Sequence, residues 1–119
     1  MKTKIYRGLV VDEPFTWVYG SLINKNLIYQ SQEPKYGCCG VGTFTVYPES
    51  VGEYTHFRDS HYIKIYEQDI VKNNIDNNYY KVVRKNDVFY LADEEDYIEL
   101  TDELTLFLEI VGNSFEKEN

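Results

Sequence analysis

Tyr79-Tyr80-Lys81-Val82-Val83-Arg84-Lys85-Asn86-Asp87-Val88-Phe89-Tyr90-Leu91 reads as two strands folded back on each other. Residues 79–84 and 88–91 are mostly β-branched or aromatic, side chains that fit a pleated, half-buried surface. Between them Lys85-Asn86-Asp87 forms a three-residue hairpin loop, in which Asn or Asp tolerates a positive φ. Upstream, residues 73–78 are a polar turn. Before it, residues 63–71 set Ile63 and Ile65 against Lys64 and Tyr66 in strand alternation. Downstream, Asp93-Glu94-Glu95-Asp96 is an acidic turn. Residues 97–100 and 107–111 have strand character, with Thr101-Asp102-Glu103-Leu104 as one helical turn capped by Thr101. Tyr97, Leu100, Leu104, Phe107 and Val111 also keep helical spacing, so one helix over 97–111 competes with the two strands.

The first half repeats the pattern. Residues 3–11 and 15–23 are strands around the turn Asp12-Glu13-Pro14, where Pro14 turns Glu13 away from helix. Phe15, Trp17 and Tyr19 alternate onto one face, which suits a sheet buried on one side and makes Trp17 and Tyr19 expected core anchors. Asn24-Lys25-Asn26 is a turn from which residues 27–30 return antiparallel. Residues 31–42 are loop-like and hold Gly37, Gly40 and Gly42. Residues 43–47 and 51–57 are extended, with Pro48-Glu49-Ser50 between them as a tight turn.

Composition agrees. Val, Ile, Thr, Tyr, Phe and Trp supply 46 of 119 residues, while Ala, the best helix former, occurs once, at Ala92. The expected class is mainly β: a small antiparallel sheet or barrel with little helix. No run of ~18 apolar residues exists, and Met1-Lys2-Thr3-Lys4-Ile5-Tyr6-Arg7 lacks the apolar region of a signal peptide, so a soluble cytoplasmic protein is expected.

The net charge of −8 is lopsided. Residues 1–75 carry eight basic and eight acidic groups; residues 76–119 carry four basic and twelve acidic. An acidic surface repels phosphate backbones, so direct nucleic-acid binding is not expected. Asp93, Glu94, Glu95, Asp96, Glu99, Asp102 and Glu103 crowd into eleven positions. They read either as a solvated turn or as a patch that docks a basic protein partner.

Reaction chemistry has thinner support. Cys38 and Cys39 are adjacent, which disfavours a disulfide between them and aims their side chains to opposite faces of an extended chain. With His56 and His61 they are the only soft metal ligands, and the spacing is not that of a zinc site. No metal or cofactor is expected. His56, Asp59 and His61 can be drawn as an acid–base group, but no activated nucleophile lies near them in the sequence. Gly37, Gly40 and Gly42 are not followed by the GK[ST] of a phosphate loop. The four acidic residues 93–96 lack the alternation and glycine of a calcium loop. Twelve tyrosines serve sheet packing or a protein interface.

Three segments together resemble a known family. The first is Tyr6-Arg7-Gly8 followed by Trp17-Val18-Tyr19-Gly20-Ser21-Leu22-Ile23. The second is Tyr47-Pro48-Glu49-Ser50-Val51-Gly52-Glu53-Tyr54-Thr55, then Asp59, then Ile65-Tyr66-Glu67-Gln68-Asp69-Ile70-Val71-Lys72. The third is Leu108-Glu109-Ile110-Val111-Gly112-Asn113-Ser114-Phe115-Glu116. In this order the chain resembles the YopX family, small proteins of phages and prophages, from about residue 4 to 116. The pattern departs where the family usually has glycine: His56 follows Tyr-Thr, Gln68 lies in the Tyr-Glu-x-Asp-Ile stretch, and the turn before that strand is Ser60-His61-Tyr62. These turns must form without glycine.

The resemblance implies an all-β fold, a single YopX-like domain over 1–119 divisible into an N-terminal β subdomain (1–60) and an SH3-like barrel (61–119). It implies no reaction. Asp69 is expected to brace its turn through backbone N–H groups, and Gly112-Asn113 to form a bulge or turn. The functional expectation is a non-enzymatic phage accessory protein that binds another protein, with no membrane partner and self-association left open. The alternative is a small-ligand binder or enzyme using the 56–61 turn and the glycine-rich loop 37–42.

Overall fold

A computed structural model describes residues 3–12, 16–31 and 40–115. Eleven strands appear there: β1 (Tyr6–Leu9), β2 (Trp17–Asn24), β3 (Leu27–Gln30), β4 (Gly42–Thr45), β5 (Gly52–Arg58), β6 (Lys64–Tyr66), β7 (Asp69–Asn73), β8 (Asn78–Lys85), β9 (Val88–Ala92), β10 (Tyr97–Glu99) and β11 (Leu108–Asn113). A 3-10 turn spans Pro48–Ser50, and one short helix, α1, spans Asp102–Thr105. The chain is mainly β, and it divides into two units, Met1–Glu53 and Tyr54–Asn119.

In the first unit the strands run antiparallel in the order β4-β3-β2-β1, and Gly52 and Glu53 at the start of β5 lie opposite Arg7 and Tyr6. The core is Val10, Val18, Ile28 and Val46. The alternation expected along β2 is present, but its phase is the reverse. Val18 is fully buried, Trp17 is half-buried beneath the Arg7 guanidinium, and Tyr19 is 41% exposed; Phe15 lies outside the described residues. The space over Gly8 has no room for a ring. Gly8 lies opposite Val18, and a methyl group on Gly8 would come within 2.9 Å of Ile28 and Val46. Val18 fills that space with a small side chain, which leaves Trp17 and Tyr19 on the outer face, while the rings of Tyr6 and Phe44 pack against the same core. Ser50, 1% exposed, braces the turn after Tyr47: its Oγ donates to the Tyr47 carbonyl and accepts from the Leu9 N–H.

In the second unit Tyr54 and Arg58 of β5 lie opposite Tyr66 and Lys64 of β6. A second sheet runs antiparallel in the order β10-β9-β8-β7-β11. Its core joins Ile65, Val71, Tyr80, Val82, Leu91, Leu100 and Leu108. Residues 97–111 form two strands with a four-residue helix between them, and the Thr101 hydroxyl accepts the Leu104 N–H at 3.2 Å. β8 and β9 are joined by two residues rather than three. Lys85 pairs with Val88, and Asn86 and Asp87 both take positive φ, the geometry whose twist matches the flanking strands. Among the described residues this sheet does not close on itself, with β10 and β11 at its ends, so the SH3-like barrel expected toward the C-terminus is not confirmed. Residues 110–112 carry the bulge expected near Gly112-Asn113.

The three turns that lack glycine use the glycine backbone nonetheless. His56, Tyr62 and Gln68 have φ of 68°, 68° and 80°. A side chain in this region costs roughly 1–2 kcal/mol, so each turn must be held by its surroundings. The Gln68 N–H donates to the Val82 carbonyl, and the Gln68 carbonyl accepts the Ser114 N–H, both at 2.8 Å. The buried Asp69 carboxylate accepts the Tyr66 N–H at 2.8 Å, the bracing role expected from its place in the turn. The Tyr62 carbonyl accepts from Arg58 Nη1, whose guanidinium also lies over the Tyr62 ring. His56 makes the irregularity between Tyr54 and Arg58, its ring against Tyr54 at 4.7 Å. Removing this strain at Gln68 should show in denaturant unfolding. Gln68→Gly is expected to be about 0.5–1 kcal/mol more stable than the parent, and Gln68→Ala, which keeps the strained backbone, less stable than Gln68→Gly.

Candidate functional site

Two groups of residues compete for function, the 56–61 turn and the acidic stretch, and both lie in the second unit. In the turn, Asp59 is 5% exposed and its carboxylate is fully engaged. Oδ1 accepts the N–H groups of His61 and Ile63, each at 2.9 Å, and Oδ2 accepts the Ile110 N–H at 3.0 Å. Its backbone N–H donates to the Ile63 carbonyl, and its carbonyl accepts the Tyr62 N–H. Three N–H donors on one carboxylate make a structural clamp. The two histidines have other surroundings. His61 is exposed with Nε2 3.9 Å from Glu109, and His56 lies against the Tyr54 ring. The structure therefore gives Asp59, His56 and His61 separate partners and does not draw them into an acid–base group.

Gln30, 3% exposed, holds the described end of the glycine-rich loop: its amide donates to the Gly40 carbonyl and accepts the Tyr19 N–H. Gly42 has a φ of 144°. Gly37, Cys38 and Cys39 lie outside the described residues. Among the described residues no three His, Cys, Asp or Glu side chains are grouped to hold a metal ion.

The acidic stretch is laid along one end of the five-stranded sheet. Asp93, Glu94, Glu95 and Asp96 connect β9 to β10, Glu99 ends β10, and Asp102 and Glu103 begin α1; all seven are exposed. They do not all present their charge alike. Asp93 turns its Oδ1 onto the N–H groups of Glu95 and Asp96, at 2.8 and 2.7 Å. The N–H groups of Asp96 and then Glu95 lower its pKa below the ordinary value. Glu94, Glu95, Asp96, Glu99, Asp102 and Glu103 are left to the surface.

Sheet pairing adds residues to which the linear sequence does not point. Lys81 lies opposite Ala92, which brings the turn before β8 toward the turn after β9. Asp76, in that first turn, accepts the Tyr80 hydroxyl at 2.6 Å. This bond lowers the Asp76 pKa and raises that of Tyr80, and the charge of Asp76 works against the lowering at Asp93. On the sheet surface the Tyr97 ring carries the Lys85 ammonium at 4.2 Å and meets the Tyr90 ring edge-on at 6.1 Å. The acidic edge is thus bordered by a tyrosine–lysine surface, with Tyr79 and Tyr97 each 58% exposed. Cross-strand neighbours of this kind leave no spacing signature in a single chain.

No helix among the described residues is long and apolar enough to cross a membrane. The family model described as YopX protein matches residues 6–119. None of the curated proteins compared with the chain matches it.

If Asp59 is a clamp, its removal acts on stability. Asp59→Ala strands three partly buried N–H donors and should cost about 3 kcal/mol or more in urea unfolding. Asp59→Asn, which keeps one oxygen acceptor, should cost less than Asp59→Ala.

Proposed function

The chain belongs to the YopX family, and on that premise we propose that it is a non-enzymatic accessory protein of a phage or prophage, acting in the host cytoplasm by binding a basic protein. The observation that carries this reading is the exposure of all seven carboxylates of residues 93–103 along one end of a sheet. Such a concentration of one sign, next to exposed tyrosines, supports electrostatic capture followed by contact with rings that bury area at low entropic cost. Asp59, the carboxylate best placed for acid–base work, accepts three backbone hydrogen bonds, which supports a structural role for the 56–61 turn.

The test is kinetic. The partner is captured from host extract with the chain as bait, then purified, and association is followed by surface plasmon resonance over a salt series. Asp93→Asn, Glu94→Gln, Glu95→Gln and Asp96→Asn together should slow association roughly tenfold at low salt. The melting temperature should stay within a few degrees of the parent, because the amide introduced at position 93 keeps an oxygen that braces the turn. Duplex DNA should bind negligibly at physiological salt. Tight DNA binding, or an association rate that ignores both salt and neutralisation, would overturn the proposal.

A further inference from the structure

The two ends of the five-stranded sheet are finished differently. At β11 two of the outward-facing groups are occupied, the Leu108 carbonyl and the Ile110 N–H. The Asn74 N–H donates to the Phe107 carbonyl, and this fixes the alternation so that the backbone groups of Leu108 and Ile110 point away from β7. The Leu108 carbonyl accepts the Ser60 N–H at 2.8 Å, and the Ile110 N–H donates to Asp59 at 3.0 Å. The turn before β6 therefore bonds to that edge.

At β10 the same alternation leaves the ladder unfinished. The Asp93 N–H donates to the Asp96 carbonyl, and the Leu100 N–H to the Phe89 carbonyl. The backbone groups of Asp96, Ile98 and Leu100 thus address β9, while the N–H and C=O of Tyr97 and Glu99 point outward. No hydrogen bond among the described residues reaches these outward groups, and all three residues of β10 are exposed. Ile98, on the core side of the strand, is 37% exposed at this edge.

We propose that the β10 edge receives an extended, basic segment of a partner protein as an added strand. This rests on the basic-partner reading above and supplies its binding mode. Tyr97 and Glu99 present two donors and two acceptors at strand spacing, the template used in strand addition. Charge selects the occupant. Residues 93–96 lie at one end of the strand, Asp102 and Glu103 lie past the other, and Glu99 stands on it. A second copy pairing edge to edge would set these carboxylates against their own counterparts, which opposes self-pairing. A segment alternating lysine or arginine with apolar residues satisfies both faces. Its cations lie beside Tyr97 and Glu99, and its apolar side chains cover Ile98.

The probe is a capped heptapeptide alternating lysine with valine and threonine, titrated into the full chain by calorimetry and amide NMR. Its controls are the same peptide N-methylated at alternate residues on one edge, the same peptide methylated on the other edge, and a version with glutamine for lysine. The expected result is binding with shifts centred on the Tyr97 and Glu99 amides. Methylating the pairing edge should weaken it about tenfold or more, and the glutamine version should weaken it and lose its salt dependence. Salt-sensitive binding indifferent to methylation on either edge would overturn strand addition while leaving the basic-partner reading intact. Equal binding of the lysine and glutamine peptides would overturn both. Absence of binding at millimolar peptide would overturn strand addition. So would shifts at Tyr97 and Glu99 that grow with protein concentration alone, because the occupant is then a second copy.

Discussion

One buried carboxylate decides how the second unit is finished. Asp59 holds the N–H groups of His61 and Ile63 within its own turn and that of Ile110 on a strand far along the chain. The local bonds shape the turn, and the long-range bond lays that turn along the free edge of β11. An added strand could have occupied the same edge. Here the Asp59 side chain and the Ser60 N–H do so, and no sheet closes among the described residues. The arrangement uses few residues but depends on an acceptor with two oxygens at one position.

Much of this architecture is legible in the sequence because its causes are local. β-Branched and aromatic runs separated by polar turns specify the strand content. Thr101 announces its helical turn through the capping bond to Leu104, and Asp69 its turn through the bond to Tyr66. What depends on distant partners is not legible. Alternation along β2 is visible in the sequence, but which side faces inward is set by Gly8 opposite Val18 and its contacts with Ile28 and Val46. Asp59 stands out beside two histidines, yet its decisive partner is Ile110, and nothing in the spacing links the two. The turns that lack glycine are visible as departures from a family pattern. That they retain the left-handed backbone follows from bonds such as that between Gln68 and Val82.

The acidic stretch shows the same division. Its residues are evident from composition; their placement along a sheet end is not. Once β10 is seen to be an edge, the carboxylates gain a second meaning. Charge on an edge strand discourages pairing between like copies, and the same charge favours a strand of opposite sign. Asp93 serves both ends, because it shapes the connection into β10 while its neighbours face solvent.

Among the described residues, the turn before β6 bonds to one edge of the five-stranded sheet and no hydrogen bond reaches the outward groups of the other, a difference that native-state hydrogen exchange on the free chain reads amide by amide. The Ile110 amide, held by Asp59, should exchange slowly, while the Tyr97 and Glu99 amides should exchange near the rate of exposed backbone. Protection at Tyr97 and Glu99 equal to that at Ile110 in the free, dilute chain would mean that both edges are closed.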